Sequence, residues 1–199
     1  MKEKKVTDLG KDNIGGLLLK LALPAILAQI INVLYNMVDR MYIGHIPKIG
    51  SDALTGVGVT MPVIMAISAF AALVSMGGAP RASIMMGKND KSAAEKILGN
   101  CTLMLVIMAA ILTCVFFIWG EDILLVFGAS SKTIGYALEY MRIYSLGTIF
   151  VQLALGLNAF INAQGYAKMG MFTVAIGAIC NIILDPIFIF QFSMGVKGA

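Results

Sequence analysis

Five long apolar stretches dominate the chain, at about 16–46, 53–79, 97–119, 133–162 and 169–192, and short polar links separate them. Each exceeds the roughly 20 residues with which a helix crosses the hydrocarbon of a bilayer. The pattern predicts an all-α polytopic membrane protein with about five transmembrane helices. The first and fourth stretches are long enough to require tilt, a bend or ends outside the lipid. Pro24, Pro62 and Pro186 are the candidate kinks, because proline removes a backbone donor and crowds the preceding turn.

Composition supports this reading. The 199 residues are 59% hydrophobic and 13% charged, whereas a soluble domain is nearer half apolar and a quarter charged. Cys101, Cys114 and Cys180 fall inside apolar runs without metal-ligand spacing, so they read as small apolar fillers rather than a disulfide framework. The basic start is followed by an apolar run too long for a signal sequence, and no small-residue cleavage site closes it. The first span is therefore a retained helix.

Charge bears on topology. Lys2, Lys4, Lys5 and Lys11 lie in the segment 1–15, Arg81, Lys88, Lys91 and Lys96 in the second link, and Lys168 in the fourth. Basic links face the cytoplasm. The expectation is a multi-pass protein of the cytoplasmic membrane with a cytoplasmic N-terminus and a lobe spanning 16–199. The net charge of +4 is used up in this way and does not point to nucleic acid as a partner; the lipid bilayer is one. No H-E-x-x-H, G-x-S-x-G or phosphate-binding glycine loop is present, so no enzyme and no cofactor is expected.

Chemistry enters with the polar residues inside the spans. Gln29, Asn32, Asn36 and Asp39 follow the spacing i, i+3, i+7, i+10, which places them within an arc of about 80° on one helix. Tyr35 borders that stripe. In lipid such a stripe faces a packed neighbour or a water-filled cavity. On the fifth span Asn181 and Asp185 share a face, and Pro186 frees a carbonyl about one turn earlier. Asp39 lies 19 residues beyond Lys20, and Asp185 lies 17 beyond Lys168. At 1.5 Å per residue the two acids stand roughly 28 Å and 25 Å from the inner edge, on helices that run the same way. If these helices are neighbours, the acids share one site. Two close carboxylates away from water cannot both stay charged without a counter-ion, so the pair takes up a proton or a cation.

The fourth span adds Asn158 and Asn162 on one face, and Tyr136, Tyr140 and Tyr144 at i, i+4, i+8. The tyrosines read as a packed interface belt or as a wall for flat cationic ligands. Glu139 and Arg142 are expected to pair. His45 is expected in a solvated link without a partner. The residues from 191 onward read as an outer link just beginning, before a sixth span. The expectation is the front piece of a longer membrane protein.

Asn181-Ile-Ile-Leu-Asp185-Pro186 resembles the fifth-helix motif of the multidrug and toxic compound extrusion (MATE) family. The stretch from Pro24 to Gln29, on through Tyr35-Asn36-Met-Val-Asp39 to Gly44, resembles its first helix, and Asn158-Ala-Phe-Ile-Asn162-Ala-Gln164-Gly165 the end of its fourth. The resemblance covers essentially the whole chain and is nearest to the bacterial MepA-like branch. It implies the N-terminal half of a two-lobe, twelve-helix transporter that exports cationic drugs against protons or sodium. It implies a cation site at Asp39, Asn181 and Asp185, with no metal beyond sodium there, and a substrate cavity near Asn32 and Asn158. A hydroxyl on a sixth helix and the whole C-terminal lobe are implied as further parts, and neither lies in this chain. Two alternatives stand beside it: a lipid-linked oligosaccharide flippase of the same superfamily, and an inactive fragment or membrane scaffold.

Overall fold

A computed structural model describes residues 14–198. The basic cluster at Lys2, Lys4, Lys5 and Lys11 lies outside the described residues. Seven α-helices follow in order: α1 (Ile14–Gly44), α2 (Gly50–Val59), α3 (Met61–Gly87), α4 (Lys91–Ile118), α5 (Gly120–Val126), α6 (Ile134–Ala163) and α7 (Ala167–Pro186). A π-helical turn at Ile187–Gln191 and a 3-10 turn at Gly195–Gly198 complete the chain. Five units are long and apolar enough to span a membrane, with α2 and α3 together forming the second.

The core is a triangle of α3, α4 and α6. At one end Val63, Ile67, Leu112, Phe116 and Met141 meet, with Leu124 of α5 as a plug. At the other end Ala71, Val74, Cys101, Leu105 and Phe160 meet. Three interhelical hydrogen bonds tie the triangle. Gln152 Nε2 donates to the Ile67 carbonyl at 2.8 Å, Thr113 Oγ1 to the Ser145 carbonyl at 2.8 Å, and Ser83 Oγ to the Ala163 carbonyl at 3.1 Å. Such bonds hold membrane bundles together, where apolar contact alone does not distinguish a neighbour helix from lipid. The second pair, α1 and α7, packs lengthwise and joins the triangle through α6 and α2. Elsewhere α1 presents Leu18, Leu23, Ile26, Ile30, Leu34 and Met37 outward, as a lipid-facing surface requires.

Several expectations change. The second span is broken at Thr60, whose Oγ1 donates to the Val57 carbonyl at 2.7 Å. Pro62 sits in the first turn of α3, where a missing N–H costs nothing, so it starts a helix rather than kinking one. Pro24 lies inside α1, which continues through it as α-helix. At Pro186, a candidate kink, the backbone widens into the π-turn and runs on to Gln191, close to the expected end of the span. The second link shrinks to a turn at 88–90. Arg81 is still on α3 and Lys96 already on α4. Asn89 takes φ 61° in that turn, which asparagine tolerates, and Asp90 caps α4 by accepting from the Ala93 N–H at 3.0 Å.

Glu139 pairs with Lys197 at 3.4 Å rather than with Arg142. The 3-10 turn folds back onto α6 and buries Val196, which brings the lysine there. The segment after the fifth span is thus packed against the bundle. His45 is not solitary, because its Nδ1 lies 2.7 Å from the Met41 carbonyl. Cys101 is buried as a filler, whereas Cys114 and Cys180 are exposed on the apolar surface; all three are free.

Candidate functional site

The pairing of α1 with α7 decides the site. It sets Asp39 of α1 beside Asp185 of α7, with the two carboxyl groups within side-chain hydrogen-bond reach. Asp185 is only 4% exposed. Its Oδ1 accepts from Asn181 Nδ2 at 2.9 Å, the i, i+4 contact that the helix dictates. Three buried oxygens then accept nothing: Asp39 Oδ1, Asn181 Oδ1 and Asp185 Oδ2. A buried acceptor without a donor is costly. Three in one cluster, two of them carboxylate, form a donor set for a hard cation or for a proton shared between the acids.

Tyr140 packs against the cluster of Ile43, Ala53, Val57 and Ile189 and stacks on Tyr144, with ring centroids 6.1 Å apart and planes at 20°. Arg40, next to Asp39, turns its guanidinium to the Met61 sulfur at 3.0 Å, at the break between α2 and α3.

A cavity of about 800 Å³ lies along α1, α6 and α7, and of the cluster Asn181 lines it while the two acids do not. Gln29, Asn32 and Tyr35 line one wall, Asn158 and Asn162 another, and Asn181 reaches its upper end. Asn36 and Tyr140 are not among its lining residues. Asn36 instead donates to the Asn32 carbonyl at 2.7 Å, within its own helix.

A polar clamp closes the side where α6 meets α7. Asn158 Nδ2 donates to the Gly170 carbonyl at 3.1 Å and to Thr173 Oγ1 at 2.8 Å, and Asn162 Nδ2 donates to Asn158 Oδ1 at 2.8 Å. Gly170 permits the approach, because a Cβ there would run into Asn162 Oδ1. Thr173 escaped the sequence reading, since a lone threonine in an apolar helix more often bonds back to its own turn. Gln152 escaped it too, although a fully buried amide in the triangle is the stronger anchor. Among the described residues no cluster of three or more His, Cys, Asp or Glu side chains occurs. The candidate site combines two acids with one amide oxygen, that of Asn181.

The fold and the sequence both have known relatives. The MatE family profile matches residues 24–187. The multidrug export protein MepA of Staphylococcus haemolyticus (strain JCSC1435) is 25% identical over 199 residues, which is all of this chain and 44% of that protein. MepA of Staphylococcus aureus (strain NCTC 8325 / PS 47) is 25% identical over 204 residues, again 44% of its length. The chain thus spans less than half the length of the curated relatives it matches. Among solved structures, a MOP superfamily transporter from Pyrococcus furiosus superposes with a TM-score of 0.88 at 25% identity, over 100% of this chain and 43% of that one. An outward-facing multidrug resistance MATE family transporter superposes with a TM-score of 0.84 at 26% identity, over 92% of this chain and 40% of that one. With the family match running from Pro24 on α1 through both acids to the end of α7, the chain belongs to the MatE family and corresponds to the N-terminal half of its transporters.

Proposed function

We propose that this chain forms the N-terminal lobe of a cation-coupled exporter of organic cations in the cytoplasmic membrane, with Asp39, Asn181 and Asp185 taking the coupling proton or sodium. The observation that carries this reading is the cluster of three buried, unpaired oxygens where α1 meets α7. Its Asn181 lines a largely apolar cavity that carries a few amide and phenol groups and is large enough for a drug-sized ligand. Loading neutralises the acid pair and so favours one packing of α1 against α7. Unloading restores two like charges and favours another. A ligand that distinguishes two states shifts their populations, which is what exchange across a membrane requires. Gln29, Asn32, Tyr35, Asn158 and Asn162 would hold the cargo through amide and ring contacts. The complementary lobe would supply the opposite wall.

The test is ethidium efflux from cells that express the complete protein. Asp39→Asn and Asp185→Asn should each abolish ion-driven efflux while membrane insertion stays normal. Undiminished efflux in both variants would sink the reading. Replacing sodium by choline in the medium, with the proton gradient held constant, assigns the coupling ion.

A further inference from the structure

Arg81 faces away from the site described above. Leu73, Gly77 and Arg81 of α3 form one wall of a groove of about 320 Å³, and Ile97, Asn100 and Met104 of α4 form the other. The floor lies where α3 and α4 touch at Gly78, whose Cβ would collide with Cys101 Sγ. Gly77 keeps the groove open, since a Cβ there would meet nothing within 4 Å.

The groove is polar at one end only. Arg81 stands six residues before the end of α3 at Gly87, and Asn100 nine residues after the start of α4 at Lys91. They therefore lie about 9 Å and 14 Å from the α3–α4 turn. Leu73 lies about 12 Å deeper than Arg81 along the same helix. A cationic and amide end near the membrane surface, followed by an apolar trough toward the bilayer centre, is the polarity of a lipid standing in one leaflet. Arg81 is the one charged side chain that lines the groove, and Lys88, Lys91 and Lys96 flank the turn in sequence, Lys91 lining the same α6-side pocket as Glu95. Of the neighbouring acids, Asp90 is engaged as the cap of α4, and Glu95 lines a separate pocket on the α6 side of that helix. Among the described residues Arg81 makes no ion pair. A zwitterionic headgroup brings its own cation to the guanidinium, whereas an anionic one does not.

We propose that the α3–α4 groove binds an anionic glycerophospholipid of the leaflet that holds the α3–α4 turn. Its phosphate sits at Arg81 and Asn100, and one acyl chain runs along Leu73 and Met104. This concerns the outer surface of the lobe and does not depend on the export reading.

The experiment uses the intact protein in phosphatidylcholine vesicles, with Trp119 and every tryptophan elsewhere in the full-length protein replaced by Phe and Leu73→Trp added to place one indole in the groove. Leu73 is 66% exposed, so the larger ring fits. Met104→Trp repeats the measurement from the α4 wall. Bromine-labelled acyl chains are supplied on phosphatidylglycerol or, at equal mole fraction, on phosphatidylcholine. Half-maximal quenching should need about fivefold less phosphatidylglycerol than phosphatidylcholine, the preference that one basic residue at a surface confers. Arg81→Gln should merge the two curves and leave the phosphatidylcholine curve in place, while Arg81→Lys should keep most of the preference. Coincident curves with Arg81 present would overturn the proposal, as would a preference that survives Arg81→Gln. Absence of quenching by either lipid would mean that protein covers the groove. Loss of the preference on adding inorganic phosphate would mean a soluble-anion site. Both of these results also overturn it.

Discussion

Asp185 is the residue on which the most structure converges. It is nearly inaccessible, takes one hydrogen bond from Asn181 at 2.9 Å, and leaves its other oxygen buried without a donor. If that amide holds Asp185 in place for a cation, Asn181→Ala should raise the ion concentration for half-maximal efflux about fivefold, from a bond worth about 1 kcal/mol. An unchanged ion dependence would remove Asn181 from the site. Both acids were legible in the sequence because a carboxylate in an apolar run is expensive and so stands out. Gln152 and Thr173 were not. A single neutral polar residue in a span costs little if it bonds to any backbone nearby, and nothing in its spacing says which helix will answer.

Close approach matters at the level of elements. The α6–α7 clamp exists because Gly170 lets the Asn158 and Asn162 side chains reach the backbone of α7. Gly170→Ala should therefore destabilise the bundle by about 1–3 kcal/mol through overpacking, seen as a lower thermal midpoint in detergent. Gly177→Ala is the control, because a Cβ there would meet nothing within 4 Å. Equal midpoints for the two variants would contradict the clamp. Helix count followed from hydropathy, but helix ends did not. Arg81 and Lys96 read as link residues because charge usually marks the end of a span. Both are helical, since long basic side chains extend toward the surface while their backbone stays inside. The break at Thr60 and the π-turn after Pro186 depend on backbone geometry to which hydropathy is blind.

For the whole molecule, the turn at 88–90, flanked by Arg81, Lys91 and Lys96, and the opposite link at 127–133 should lie on opposite sides of the membrane. In a background with Cys101, Cys114, Cys180 and any cysteine elsewhere in the full-length protein replaced, Asn89→Cys should react with an impermeant thiol reagent only after the cells are opened. Ser130→Cys should react in intact cells. Labelling of both from one side would invalidate the orientation.

The sequence alone determined how many spans there are and that two acids lie at one depth, and its basic links set the orientation expected of successive spans. These follow from quantities that accumulate along the chain: apolar length, basic charge in the links, and a rise of 1.5 Å per residue. Only the tertiary structure decided that α1 lies against α7, and hence that Asp39 and Asp185 meet with three oxygens unsatisfied. The reason is physical. In a bilayer the lipid and the protein interior are both apolar, so hydrophobic patterning carries little information about which face of a helix meets which neighbour. That choice rests on small residues such as Gly170 and on a few interhelical hydrogen bonds, and these can be read only once the helices are in place.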